Sequence, residues 1–145
     1  MLFQLCYASK ITATGTQALS DLRDILDEAR HFNLQHDIHG VLYFGEGYFI
    51  QCLEGQQDII WTLYEKICTD PRHQHTQLLL TQTVQHAGFK HWAMKYVARH
   101  SQIKAYFQQL GHSSFVPLQL KPSDLPALIK LLSDIKPMSV AASTA

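Results

Sequence analysis

Residues 38–55 read IHGVLYFGEGYFIQCLEG. Two runs rich in aromatic and β-branched residues, Ile38 to Phe44 and Tyr48 to Leu53, flank Gly45-Glu46-Gly47. That pattern is a β-hairpin signature, and Gly55 breaks the second run. A period of two puts Phe49, Gln51 and Leu53 on one face of the second strand. An N-terminal strand over residues 2–9 likewise puts Phe3, Leu5 and Tyr7 on one face. Tyr7 and Gln51 are then polar side chains at core-facing positions. A buried polar group costs free energy unless it has a partner. Either the two bond each other, or they bond something held in the core.

A helix is expected over residues 18–33, where Leu19, Leu22, Leu26 and Ala29 share a face beside Ile25 and Phe32. Asp58 is the expected cap of a second helix with Ile59, Ile60, Leu63 and Ile67 on one face, ended by Asp70-Pro71. Strands are expected over 76–84 and 92–98. The result is an α+β, ferredoxin-like β-α-β-β-α-β-β order with both helices on one sheet face. In that order the first and third strands are central neighbours, which brings Tyr7 to Gln51.

Residues 101–110 read as a further helix. Ser123-Asp124 caps a last one with a stripe of Leu125, Leu128, Ile129, Leu132 and Ile135, stopped by Pro137. The stripe is expected to cover the free face of the sheet or a second subunit, so the oligomeric state stays open. The expected division is a core over 1–98, a helical extension over 99–137 and a frayed tail over 138–145.

The chain has 145 residues, and 12 basic against 12 acidic side chains leave no net charge. Direct nucleic-acid binding is therefore a poor expectation. No apolar run reaches the roughly 18 residues of a membrane span, and MLFQLCYAS lacks the features of a signal peptide. Cys6, Cys52 and Cys68 form no CxxC; small buried thiols in a reducing cytoplasm are the expectation. Nine histidines include an HxH at His73 and His75, but no carboxylate or thiol cluster completes a metal site at zinc-like spacing. GxSxG, P-loop and GxGxxG motifs are missing.

Other polar positions each have two readings. Asn33 ends the expected first helix as a cap, or it serves as a donor and acceptor for a flat heterocycle. Lys66-Ile67-Cys68-Thr69-Asp70-Pro71-Arg72-His73 places cations near a helix C-terminus, or it forms the polar rim of a ligand site. Trp92 and Met94 share a strand face, either as core packing or as an exchangeable pair in which adaptable Met refills space left by Trp.

Together these elements resemble the BLUF family, blue-light sensors that use flavin. The resemblance rests on LCYAS, on Asn33 seven residues before Gly40, and on GVLYFGEGYFIQCLEG. It continues through DPRH and Phe89-Lys90-His91-Trp92-Ala93-Met94, so it spans residues 2–98. It implies non-covalent FAD, with its ring between the two helices and flanked by Ile25 and Ile67. Asn33 would bond the ring's pyrimidine edge. Lys66, Asp70, Arg72 and His73 would lie near a ring carbonyl or the ribityl and phosphate portion. Tyr7 would donate an electron and a proton. Gln51 would bridge Tyr7 to the flavin and end rotated or tautomerised. The Trp92/Met94 strand and the C-terminal helices would carry the change to a partner protein, by analogy a transcription regulator. No enzymatic output is expected. Phe32 departs from the pattern, standing where many members have a second polar residue. Two rival readings are a small ferredoxin-like enzyme, such as an acyl-phosphate hydrolase, and a ligand-free interaction module. The enzyme would want an anion-binding loop, and Arg23 and Arg30 fall within the first helix instead.

Overall fold

The hairpin forms as read, from β2 (His39–Gly45) and β3 (Tyr48–Gly55), in a computed structural model that describes residues 1–140. Its turn is Glu46-Gly47, both at positive φ (50° and 83°), as a two-residue type I′ connection requires. β1 (Leu2–Ile11) runs antiparallel to β3, and the register pairs Tyr7 with Gln51 and Cys6 with Cys52. The sheet order is β4-β1-β3-β2-β5, so β1 and β3 are indeed inner neighbours. β4 (His73–Val84) and β5 (Lys95–Ala98) form the edges, and β5 runs parallel to β2. Gly40 permits a close approach within the hairpin: a Cβ there would lie 2.3 Å from the Cys52 carbonyl oxygen.

α1 (Gly15–His36) and α2 (Gln57–Thr69) lie on the face that carries Leu5, Tyr7, Phe49, Leu53 and Met94. Both differ at their ends from expectation. α1 runs past Asn33 to His36, and Asp37 takes the left-handed cap conformation expected of Asn33, its N–H bonding back to the Asn33 carbonyl. A short polar side chain tolerates that conformation, so Asp37 does what Asn33 was expected to do. α2 begins at Gln57, and Asp58 lies in its first turn rather than capping it.

The opposite face carries Cys6, Ala8, Val41, Ile50 and Cys52. It is covered by α3 (Ser101–Gln109) and α4 (Leu125–Asp134). The expected stripe does this: Leu125, Leu128, Leu132 and Ile135 are buried against the sheet. With both faces covered, β1, β2, β3 and β5 are buried along most of their length, whereas the edge strand β4 stays largely exposed or half-buried. The Glu46 carboxylate accepts the Phe115 N–H at 2.8 Å, tying the hairpin turn to the segment between α3 and α4. The chain expected to fray from residue 138 is still held there, since the Met138 N–H donates to the Tyr96 carbonyl at 2.7 Å. The rest of that expected tail, from residue 141, lies outside the described residues.

Candidate functional site

The β1–β3 register alone decides the centre of the site. Tyr7 lies opposite Gln51, and its hydroxyl donates to Gln51 Oε1. The Gln51 amide nitrogen donates in turn to the Met94 sulfur at 3.6 Å. Thioether sulfur is a weak acceptor, so the pair does not fully satisfy itself. Burial pushes the Tyr7 phenol well above its ordinary pKa, with Tyr64 nearby acting in the same direction. The two rings lie 5.5 Å apart between centroids. Tyr64 on α2 is itself pushed up to about 12, first by burial and then by its hydrogen bond with Cys68.

Above the pair, α1 and α2 bound a cleft of about 550 Å3. Its walls include Ile25 and Phe32 from α1 and Leu63 and Ile67 from α2, with Tyr7 and Gln51 also lining it. Its rim is polar: Lys66, Asp70, Arg72 and His73 all border it. The Arg72 guanidinium holds Asp70 at 2.7 Å and Glu28 at 2.6 Å, bridging the α2–β4 turn to α1. Burial alone would raise the Asp70 carboxyl, but the Arg72 hydrogen bonds override it and hold the group below its usual range. His73 is buried, and its Nδ1 sits 2.8 Å from Ser9 Oγ. Burial lowers its pKa, which favours the neutral ring.

Of the eleven residues singled out in sequence, eight line this cleft: Tyr7, Ile25, Gln51, Lys66, Ile67, Asp70, Arg72 and His73. Asn33 is buried behind it, its amide nitrogen donating to the Ala93 carbonyl at 2.6 Å. Its Oδ1 is buried with no protein partner among the described residues. Met94 is buried beneath Gln51 while Trp92 is 38% exposed. The two do not share a strand face, because β5 begins only at Lys95 and Trp92 lies in the preceding turn. Sequence reading missed Glu28, Tyr64 and Ser9. Glu28 is signalled by its three-residue spacing from Ile25 on α1, and Ser9 by its two-residue spacing from Tyr7 on β1. Phe32, the departure from pattern, stacks on His36 at 4.0 Å with Lys66 Nζ 5.9 Å from its ring. Arg30, considered for an anion loop, donates instead to the Met94 carbonyl at 3.1 Å. Among the described residues no three His, Cys, Asp or Glu side chains converge as a metal site would need.

A slot with apolar walls, a hydrogen-bonding floor and a charged rim suits a planar heterocycle with an anionic tail. Residues 2–95 match the family model described as BLUF, sensors of blue light using FAD. The chain belongs to the BLUF family. BLUF proteins of known structure match almost end to end. The BlsA ground state is 39% identical with a TM-score of 0.92, covering 97% of this chain and 93% of that one. The BlsA photo-activated state is 40% identical with a TM-score of 0.90, covering 96% and 99%. The blue light- and temperature-regulated antirepressor BluF of Escherichia coli is 34% identical over 80 residues, 55% of this chain but only 19% of BluF's length. Like other BLUF proteins, the chain uses FAD to sense blue light, and the cleft fits that ligand. Asn33 Oδ1 is a buried acceptor without a protein partner among the described residues, and the cations of Arg72 and Lys66 border the cleft, as a ligand with an anionic tail needs.

Proposed function

We propose that this BLUF chain is a light-driven switch that signals to a separate protein. Residues 1–98 act as the sensor and 99–137 as the output surface. The single observation that carries this reading is the relay from Tyr7 O–H to Gln51 Oε1 and from Gln51 Nε2 to Met94 Sδ, at the base of the cleft. Ile25 and Ile67 hold the ring, Asn33 reads its edge, and Lys66, Asp70, Arg72 and His73 face the ribityl and phosphate portion. Bound FAD supplies the light absorption and the electron acceptor.

Tyr7 starts neutral, because burial makes its phenolate unfavourable. A phenol that loses an electron becomes a strong acid, and the proton has an acceptor already in place at Gln51 Oε1. A half-turn of the Gln51 amide is one of two end states open to it, the other being a tautomer. The half-turn sets Oε1 against Met94 Sδ. Two acceptors then face each other, and Met94 loses its reason to stay. The half-exposed Trp92 is close enough in sequence to take its place.

The output partner is proposed to be a cytoplasmic transcription regulator, the class suggested by the antirepressor relative. Purified protein should be yellow and show a reversible red shift under blue light. Protein that stays colourless after incubation with FAD would refute this reading.

A further inference from the structure

Met94 immediately precedes Lys95, the first residue of β5, and the two side chains pack on opposite sides of the sheet. Met94 and Tyr96 pack with the α1 and α2 layer, whereas Val97 packs with the α3 and α4 layer. Lys95 follows the second group. It is buried at 3% exposure, and its Nζ donates to the carbonyls of Leu132 at 2.8 Å and Ser133 at 3.1 Å. Those carbonyls lie in the last turn of α4, where the helix itself offers no further amide donors. The helix dipole also favours a cation there.

A cation is an expensive way to fill this position, because burying it forfeits hydration that an apolar side chain never had. Its location gives it another use. β5 has four residues and sits at the sheet edge, paired with β2 alone among the described residues. Just before it, the carbonyls of Ala93 and Met94 are gripped by Asn33 and Arg30 from α1. Residues 93–95 therefore touch the cofactor layer on one side and the end of α4 on the other. Consecutive Cα atoms are about 3.8 Å apart, so Met94 cannot shift far without moving Lys95.

We propose that Lys95 is a positioning residue that couples the Gln51–Met94 switch to α4: when Met94 leaves Gln51, the ammonium is drawn off the Leu132 and Ser133 carbonyls, and the last turn of α4 loosens. This rests on the blue-light reading above. It adds a specific route through the sheet and a specific receiving element.

The test is amide hydrogen exchange on the FAD-loaded full chain, dark and illuminated. In the wild type, exchange of amides over residues 128–135 should rise several-fold in light. In Lys95→Met that light-dependent rise should vanish while the flavin band still shifts reversibly to the red. Lys95→Arg, which keeps a cationic donor, should restore part of it. An α4 indifferent to light in the wild type overturns the proposal, and so does a rise that survives in Lys95→Met. Absence of any red shift in the wild type overturns the blue-light reading instead. If Lys95→Met does not fold, isotope-labelled lysine in the wild type decides: the Lys95 ammonium signal should move on illumination, and an unmoved signal overturns the coupling.

Discussion

Arg72 reaches across the mouth of the cleft to Glu28, its Nη2 lying 2.6 Å from a carboxylate oxygen on the opposite helix. On the proposed reading the same guanidinium faces the anionic tail that enters, so Glu28 competes with the ligand for it. Glu28→Gln should therefore tighten FAD binding by about two- to fivefold, the scale of an exposed ion pair worth ~0.5–1 kcal/mol. Arg72→Ala should weaken it. Fluorescence titration at fixed salt reads both, and a weaker complex from Glu28→Gln would assign that carboxylate a supporting role.

Tyr7→Phe removes the donor to Gln51 Oε1 and leaves the cleft's shape intact. The variant should bind FAD and be yellow, yet show no normal red shift under blue light. Absorption spectra before and after illumination decide the point. An unchanged photocycle removes Tyr7 from its role.

His73 gives the fold an acid limit. Its folded pKa lies below the ordinary 6.5, chiefly through burial and secondarily through Arg72, while Asp70 pulls the other way. Below 6.5 the unfolded chain binds a proton that the folded one resists, so stability falls as pH drops from there towards the folded value. Above 6.5 this contribution is constant. Asp70 acts in a separate window: its folded pKa is depressed, so its contribution is complete above 3.8 and fades below that. The thermal unfolding midpoint should therefore fall as pH drops from 7 to 5 (a range that straddles the ordinary His value, about 6.5), and His73→Asn should flatten that slope.

Gly40→Ala should destabilise the fold by about 1–3 kcal/mol, the usual scale of an overpacked core. The added Cβ would sit 2.3 Å from the Cys52 carbonyl oxygen and 3.4 Å from the Met94 methyl. Backbone cannot yield as a side-chain tip can, so β2 must part from β3. Denaturant unfolding measures the loss, and unaltered stability would show that the hairpin has slack at this position.

Much of this was readable in the residues because simple periods govern it. Alternation in FIQCLEG and LCYAS put Gln51 and Tyr7 on the same face, and the strand order did the rest. The α4 stripe pointed to its own burial. Helix ends were harder, since Asn33 and Asp37 can both adopt a left-handed cap and local sequence does not say which will. β5 is shorter than its sequence suggests, because Trp92 and Met94 look like strand residues and pairing with β2 is what shows where the strand begins. Lys95 could not be found by pattern, and the spacing of Glu28 from Ile25 gives its helix face but not its partner. A charged residue on a helix or an edge strand is ordinarily solvated, and only tertiary geometry brought Arg72 to one and the α4 carbonyls to the other.

The alternation of β1, β3 and β5 has a consequence for how such a chain can change. Tyr7, Gln51 and Met94 belong to the side that α1 and α2 cover, while Cys6, Cys52 and Lys95, each a direct chain neighbour, belong to the side that α3 and α4 cover. On the proposed reading, adjacent codons address opposite functions. Mutation can retune what the chain says without altering the colour it hears, and the two traits can diverge within a stretch of sequence only a strand long.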